Sequence, residues 1–66
     1  MNIMLNGEQR EFEEGITLGA LIQKEGVSEK VMAAAVNMQI VKKEDWNSRK
    51  LEQGDKIELL QFVGGG

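Results

Sequence analysis

The sequence predicts an α+β domain: a mixed sheet with one main helix packed across one face. Three observations lead there. An Asn6-Gly7 pair separates two short runs, a single helical stripe falls at Leu18, Leu21 and Ile22, and strand-like runs follow at residues 31–36, 40–41 and 56–63. Asn-Gly is a strong hairpin signal because a two-residue type I′ turn needs positive φ at both central positions. Residues 2–6 then make the first strand and residues 8–13 the return strand. Phe12 is the only large apolar residue of that return strand, and its charged neighbours suit a solvated edge. Gly15 breaks it, Thr17 caps the helix over residues 18–25, and Gly26 supplies the stop. A lone apolar stripe on so short a helix has to be buried against the sheet.

Residues 31–37, VMAAAVN, carry alanines that favour a helix by propensity. The run is short for a helix and is bounded by Val31 and Val36, so it reads as a buried strand. Asn37 holds a turn over residues 37–39 through its side chain. Residues 40–41 form a very short strand, and residues 42–45 a polar connection to Trp46, a lid over the small core. Gly54-Asp55 closes a tight turn before the last strand, residues 56–63, which pairs in parallel with the first. Side chains alternate along a strand, so Ile57 and Leu59 fall on one side and Glu58, Leu60 and Phe62 on the other. With the helix over Ile57 and Leu59, two readings of Leu60 and Phe62 stand. They form an apolar docking patch for a partner, or the strand is buried on both faces and they belong to the core. Glu11, Glu13 and Glu14 form a solvated acidic face.

Composition limits the chemistry. Sixty-six residues allow one domain, here residues 1–63, followed by a flexible glycine tail at residues 64–66. Apolar residues at 41% and charged residues at 29% are those of a chain that folds. With no cysteine and no histidine, there is no disulfide or thiolate zinc site, no metal is expected, and side-chain catalysis is disfavoured. The net charge of −3 argues against nucleic acid, whose binding is built from clustered lysine and arginine. No apolar run approaches the roughly 18 residues of a membrane span, and residues 1–5 lack the pattern of a secretory signal. The expectation is a cytoplasmic chain with protein partners.

The tail, Gly64, Gly65 and Gly66, reaches at most about 10 Å beyond the last strand. Without side chains it can thread a narrow channel into a neighbouring active site. A terminal carboxylate is an anion near neutral pH and a poor electrophile. Transfer of an adenylyl group from ATP would make its carbonyl carbon open to attack by a nucleophile. The chain has no thiol, so a partner must supply both the nucleotide site and the nucleophile.

AAVNMQIV at residues 34–41, Trp46, and LEQGDKIELLQFVGGG at residues 51–66 together resemble the ubiquitin-like sulfur carriers of β-grasp fold, most closely the ThiS family of thiamine biosynthesis. The resemblance is in residues over the C-terminal half and in layout over residues 1–30. It implies that Gly66 is adenylated by a ubiquitin-activating-like, ThiF-type enzyme using ATP. The carboxylate is then converted to a thiocarboxylate with cysteine-derived sulfur, which is delivered to a ThiG-type thiazole synthase. No permanently bound cofactor is implied. Gly65 and Gly66 match the terminal pair, while Gly64 stands where other members carry other small residues. Leu60, Phe62, Val63 and Gly64 are the candidate partner contacts. Lys42 and Lys43 depart from a proline-containing segment of some members. The small subunit of molybdopterin synthase shares fold and ending, but the short length, Trp46 and the lack of a proline before the tail favour thiamine. A conjugated modifier or an interaction module with an inert tail are the alternatives of other classes.

Overall fold

A computed structural model describes residues 1–26 and 29–61. Along the chain run β1 (Asn2–Leu5), β2 (Glu8–Glu11), α1 (Leu18–Lys24), β3 (Val31–Val36), β4 (Gln39–Val41), a 3-10 helix (Lys43–Ser48) and β5 (Lys56–Gln61). The five strands form one sheet in the order β2-β1-β5-β3-β4. β1 and β5 pair in parallel, and the other neighbours are antiparallel. This is the mixed sheet with one main helix that the sequence predicts.

The first hairpin turns at Asn6 (φ 49°) and Gly7 (φ 83°), two positive-φ residues in a two-residue connection. β2 is an exposed edge strand that stops at Glu11, two residues before the expected end, and Phe12 beyond it turns into the core. Glu11, Glu13 and Glu14 are exposed as expected. α1 begins where Thr17 places its hydroxyl to accept from the Ala20 N–H at 3.1 Å, and ends before Gly26 (φ 72°). Its stripe of Leu18, Leu21 and Ile22 is fully buried together with Ile3, Val36 and Ile57 from the three central strands. Truncating any of these to alanine removes a transfer term and leaves a cavity, at about 2–5 kcal/mol for the larger ones. Gly19 sits inside the helix, where glycine costs about 1 kcal/mol relative to alanine. A Cβ there would run into the Asn47 side chain and lie 3.3 Å from its backbone nitrogen, so the glycine lets the helix approach the 3-10 turn.

Two departures from the sequence reading lie in the second half. From Lys43 the expected polar connection over residues 42–45 is already the 3-10 helix, which carries Trp46 into the core. There the indole N–H donates to the Val41 carbonyl at 3.0 Å, which fixes the ring. Trp46→Phe keeps most of the buried ring but removes this bond, so thermal unfolding should show a loss of about 1 kcal/mol. Residues 49–51 then run beside residues 16–18, with Leu18 N–H donating to Arg49 O at 2.8 Å and Leu51 N–H to Ile16 O at 3.0 Å. This closes the helix side of the core. Among the described residues no helix is long and apolar enough to cross a membrane.

Candidate functional site

The helix covers one face of the sheet and leaves the other open. Register defines the open face, because residues paired across neighbouring strands point the same way. Ile40, Ala35 and Glu58 make one row across β4, β3 and β5; Ala33 and Leu60 make the next; Met4 and Lys56 make a third across β1 and β5. Ala33 and Ala35 floor a shallow depression of about 340 Å³ flanked by Ile40, Glu58 and Leu60. Leu60 is 61% exposed, which decides between the two readings of this residue: it lies outside the core, on the uncovered face. Ile57 is buried and Leu59 half-buried on the helix side, as the alternation requires.

The two faces also differ in charge. On the helix side Arg10 pairs with Glu25 at 2.8 Å and lies over the Phe12 ring, and Lys24 approaches Glu13 at 3.4 Å. The open face instead presents aliphatic carbon around Glu58 and Lys56. β5 ends at Gln61, one residue past Leu60, so the row of Leu60 is the part of the open face next to the glycine tail. Phe62, Val63, Gly64, Gly65 and Gly66 lie outside the described residues. Leu60 is thus the one sequence-predicted site residue that the structure places. Leu60→Ala should leave stability within about 0.5 kcal/mol, as for an exposed position. Affinity for a protein partner that docks on this face should fall at least tenfold if the leucine is an interfacial anchor; a binding titration measures this.

Sequence reasoning missed three residues that hold this face in shape. Asp55 is only 8% exposed. Its carboxylate accepts from the Glu52 N–H at 2.8 Å and from the Asn37 side-chain amide at 2.9 Å. Asn37 then uses its side-chain oxygen to accept from the Lys56 N–H at 2.9 Å, so among the described residues its side-chain bonds tie down the turn before β5 rather than the turn over residues 37–39 that the sequence suggested. Asn6 reaches across from the first hairpin and accepts from the Leu59 N–H at 2.8 Å, extending the β1–β5 ladder by a side chain. Both asparagines are local turn formers with positive φ, and their long-range bonds to β5 have no signature in the spacing of the sequence.

The model of the ThiS family matches residues 3–66. Sulfur carrier protein ThiS of Escherichia coli is 32% identical over 66 residues, covering 100% of both chains. Two thiazole synthases, from Paramagnetospirillum magneticum and Magnetococcus marinus, are 36% and 35% identical over the same 66 residues, and the chain spans only 20% of their length. The crystal structure of the thiamine biosynthesis protein ThiS from Geobacter metallireducens superimposes with a TM-score of 0.83 at 27% identity, with 100% of each chain covered. The open-faced sheet with a single covering helix is therefore the β-grasp arrangement, and the chain belongs to the ThiS family.

Proposed function

We propose that this ThiS-family sulfur carrier of thiamine biosynthesis works through the carboxyl group of Gly66. A partner of the ubiquitin-activating, ThiF type binds the open face at Leu60, with Phe62, Val63 and Gly64 leading Gly65 and Gly66 to its nucleotide site. A carboxylate oxygen attacks the α-phosphorus of ATP, pyrophosphate leaves, and the acyl adenylate forms. Sulfide (HS−) released from cysteine then attacks the acyl carbon, AMP departs and a proton is lost, leaving a thiocarboxylate. The sulfur passes from there to thiazole synthase. In this scheme the chain is a substrate and carrier, and the catalytic groups belong to its partners. ATP is consumed by the partner, which places the work in the cytoplasm.

The observation that carries the reading is a family match that runs through Gly66, together with an apolar face beside the strand that leads to it. The chemistry agrees, since a chain without cysteine must receive its sulfur from elsewhere. The test follows labelled sulfur from cysteine, with the chain, activating enzyme, ATP and thiazole synthase present together. Label should appear first on the chain and then in the thiazole product. Label in the product at the same rate when the chain is omitted would refute the carrier role. A ladder of amide-linked heavier species would instead identify a protein modifier.

A further inference from the structure

The same turn occurs twice in this fold with different residues. Asn6-Gly7 closes the β1–β2 hairpin and Asn37-Met38 closes β3–β4, and all four residues have positive φ: 49°, 83°, 51° and 70°. Glycine holds the second position of the first turn, where a side chain is disfavoured by its clash with the backbone. Methionine holds that position in the second. Met38 is also 86% exposed, so its apolar side chain stands in water. Both features are unfavourable, and a side chain left 86% exposed gains little from packing to offset them. The first hairpin shows that the fold makes the turn without a methionine. Residues kept in sparsely populated backbone regions concentrate at functional contacts.

Met38 borders a second depression of about 420 Å³, which Met4, Gly7, Lys56 and Glu58 also line. Glu58 is shared with the alanine-floored depression, so the two join into one surface along β5. The Asn37 N–H donates to the Lys56 carbonyl at 2.8 Å, which sets the turn level with the start of β5. Leu60 lies four residues further on, roughly 13 Å at about 3.3 Å per residue. Met38 and Leu60 therefore mark opposite ends of the open face, with Glu58 between them.

We propose that Met38 is a docking anchor that holds the open face against thiazole synthase, at the end of the face away from the glycine tail. This rests on reading the chain as the sulfur donor to that enzyme. The occupant is chosen from the two relatives in which a domain like this one is part of a thiazole synthase chain. There the enzyme is covalently attached to a domain like this one. A contact at Leu60 alone leaves the domain free to pivot about the root of its tail, whereas a second contact roughly 13 Å away fixes its orientation. The complementary surface offers apolar sockets to Met38 and Leu60 and a lysine or arginine to Glu58. An unbranched thioether adapts well to such a socket.

The test measures affinity of the full chain for purified thiazole synthase, for wild type, Met38→Gly and Met38→Asn, with thermal unfolding of each chain alongside. Glycine and asparagine both tolerate the left-handed turn, so both variants should unfold at or above the wild-type temperature while binding at least tenfold more weakly. Affinity within twofold of wild type for both variants overturns the anchor. Earlier unfolding with normal binding per folded molecule also overturns it, by assigning Met38 to the fold. A wild-type chain that does not bind thiazole synthase refutes the donor reading, and the anchor with it.

Discussion

Deleting Gly66 abolishes sulfur loading and leaves the fold intact. On the proposed function the reacting atom is the terminal carbonyl carbon, and a chain one residue shorter would present it about 3.5 Å short of its place in the partner's site. Displacement of a reacting group by far less is enough to cost orders of magnitude in rate. Among the described residues the core that sets stability is built from residues between Ile3 and Ile57. Thermal unfolding of the truncated chain should therefore match wild type within error while no thiocarboxylate accumulates. Unfolding at a clearly lower temperature would mean that the tail packs on the domain.

Asp55→Ala has a large expected effect on stability for a polar position, within the range of the core truncations. It removes two hydrogen bonds to a carboxylate, from the Glu52 N–H and the Asn37 amide, each worth about 1.5–3 kcal/mol when the acceptor is charged. Water reaches both exposed donors once the carboxylate is gone and recovers part of the loss, which leaves about 2–3 kcal/mol. In a domain of this size that lowers the melting temperature by roughly 10–20 °C. Asp55→Asn keeps one acceptor oxygen but cannot accept at both sites, so it should fall between alanine and wild type. The same change frees Asn37 and with it the turn that carries Met38, so binding through the open face should weaken beyond what unfolding explains. Chemical denaturation of the three proteins checks the order; equal stability of Asp55→Ala and wild type would remove Asp55 from its place in the fold.

Local chemistry made the first half of the fold legible. Asn6-Gly7 turns where an Asn-Gly pair should, Thr17 caps the helix through its hydroxyl, and Leu18, Leu21 and Ile22 are buried as one stripe. Period-two alternation put Ile57 and Leu60 on opposite sides of the last strand, and the exposure of Leu60 in the structure then showed its side to be the open one. The alanines of β3 were readable as a strand from the valines around them. What the sequence did not disclose depends on contacts distant in the chain. Asp55 reads as an ordinary turn residue until Asn37 arrives from the turn after the neighbouring strand β3, and Asn6 reads as half of a hairpin signal until Leu59 lies beside it. The left-handed backbone of Met38 was hidden for a different reason: methionine carries no turn signal, and only the pairing of Val36 with Gln39 forces residues 37 and 38 into a two-residue connection. The roles of residues 62–66 come from composition and family resemblance, since these residues lie outside the described part of the structure.

The central claim is that Gly66 carries sulfur as a thiocarboxylate. Intact-mass analysis of the chain, after incubation with its activating enzyme, ATP and a cysteine-derived sulfur donor, tests it most directly. One product is expected, with a mass that reflects exchange of a single oxygen for sulfur, located by fragmentation at the C-terminal glycine and absent without ATP. An unchanged mass with an activating enzyme that loads a homologous carrier in parallel, or sulfur located anywhere other than Gly66, would contradict it.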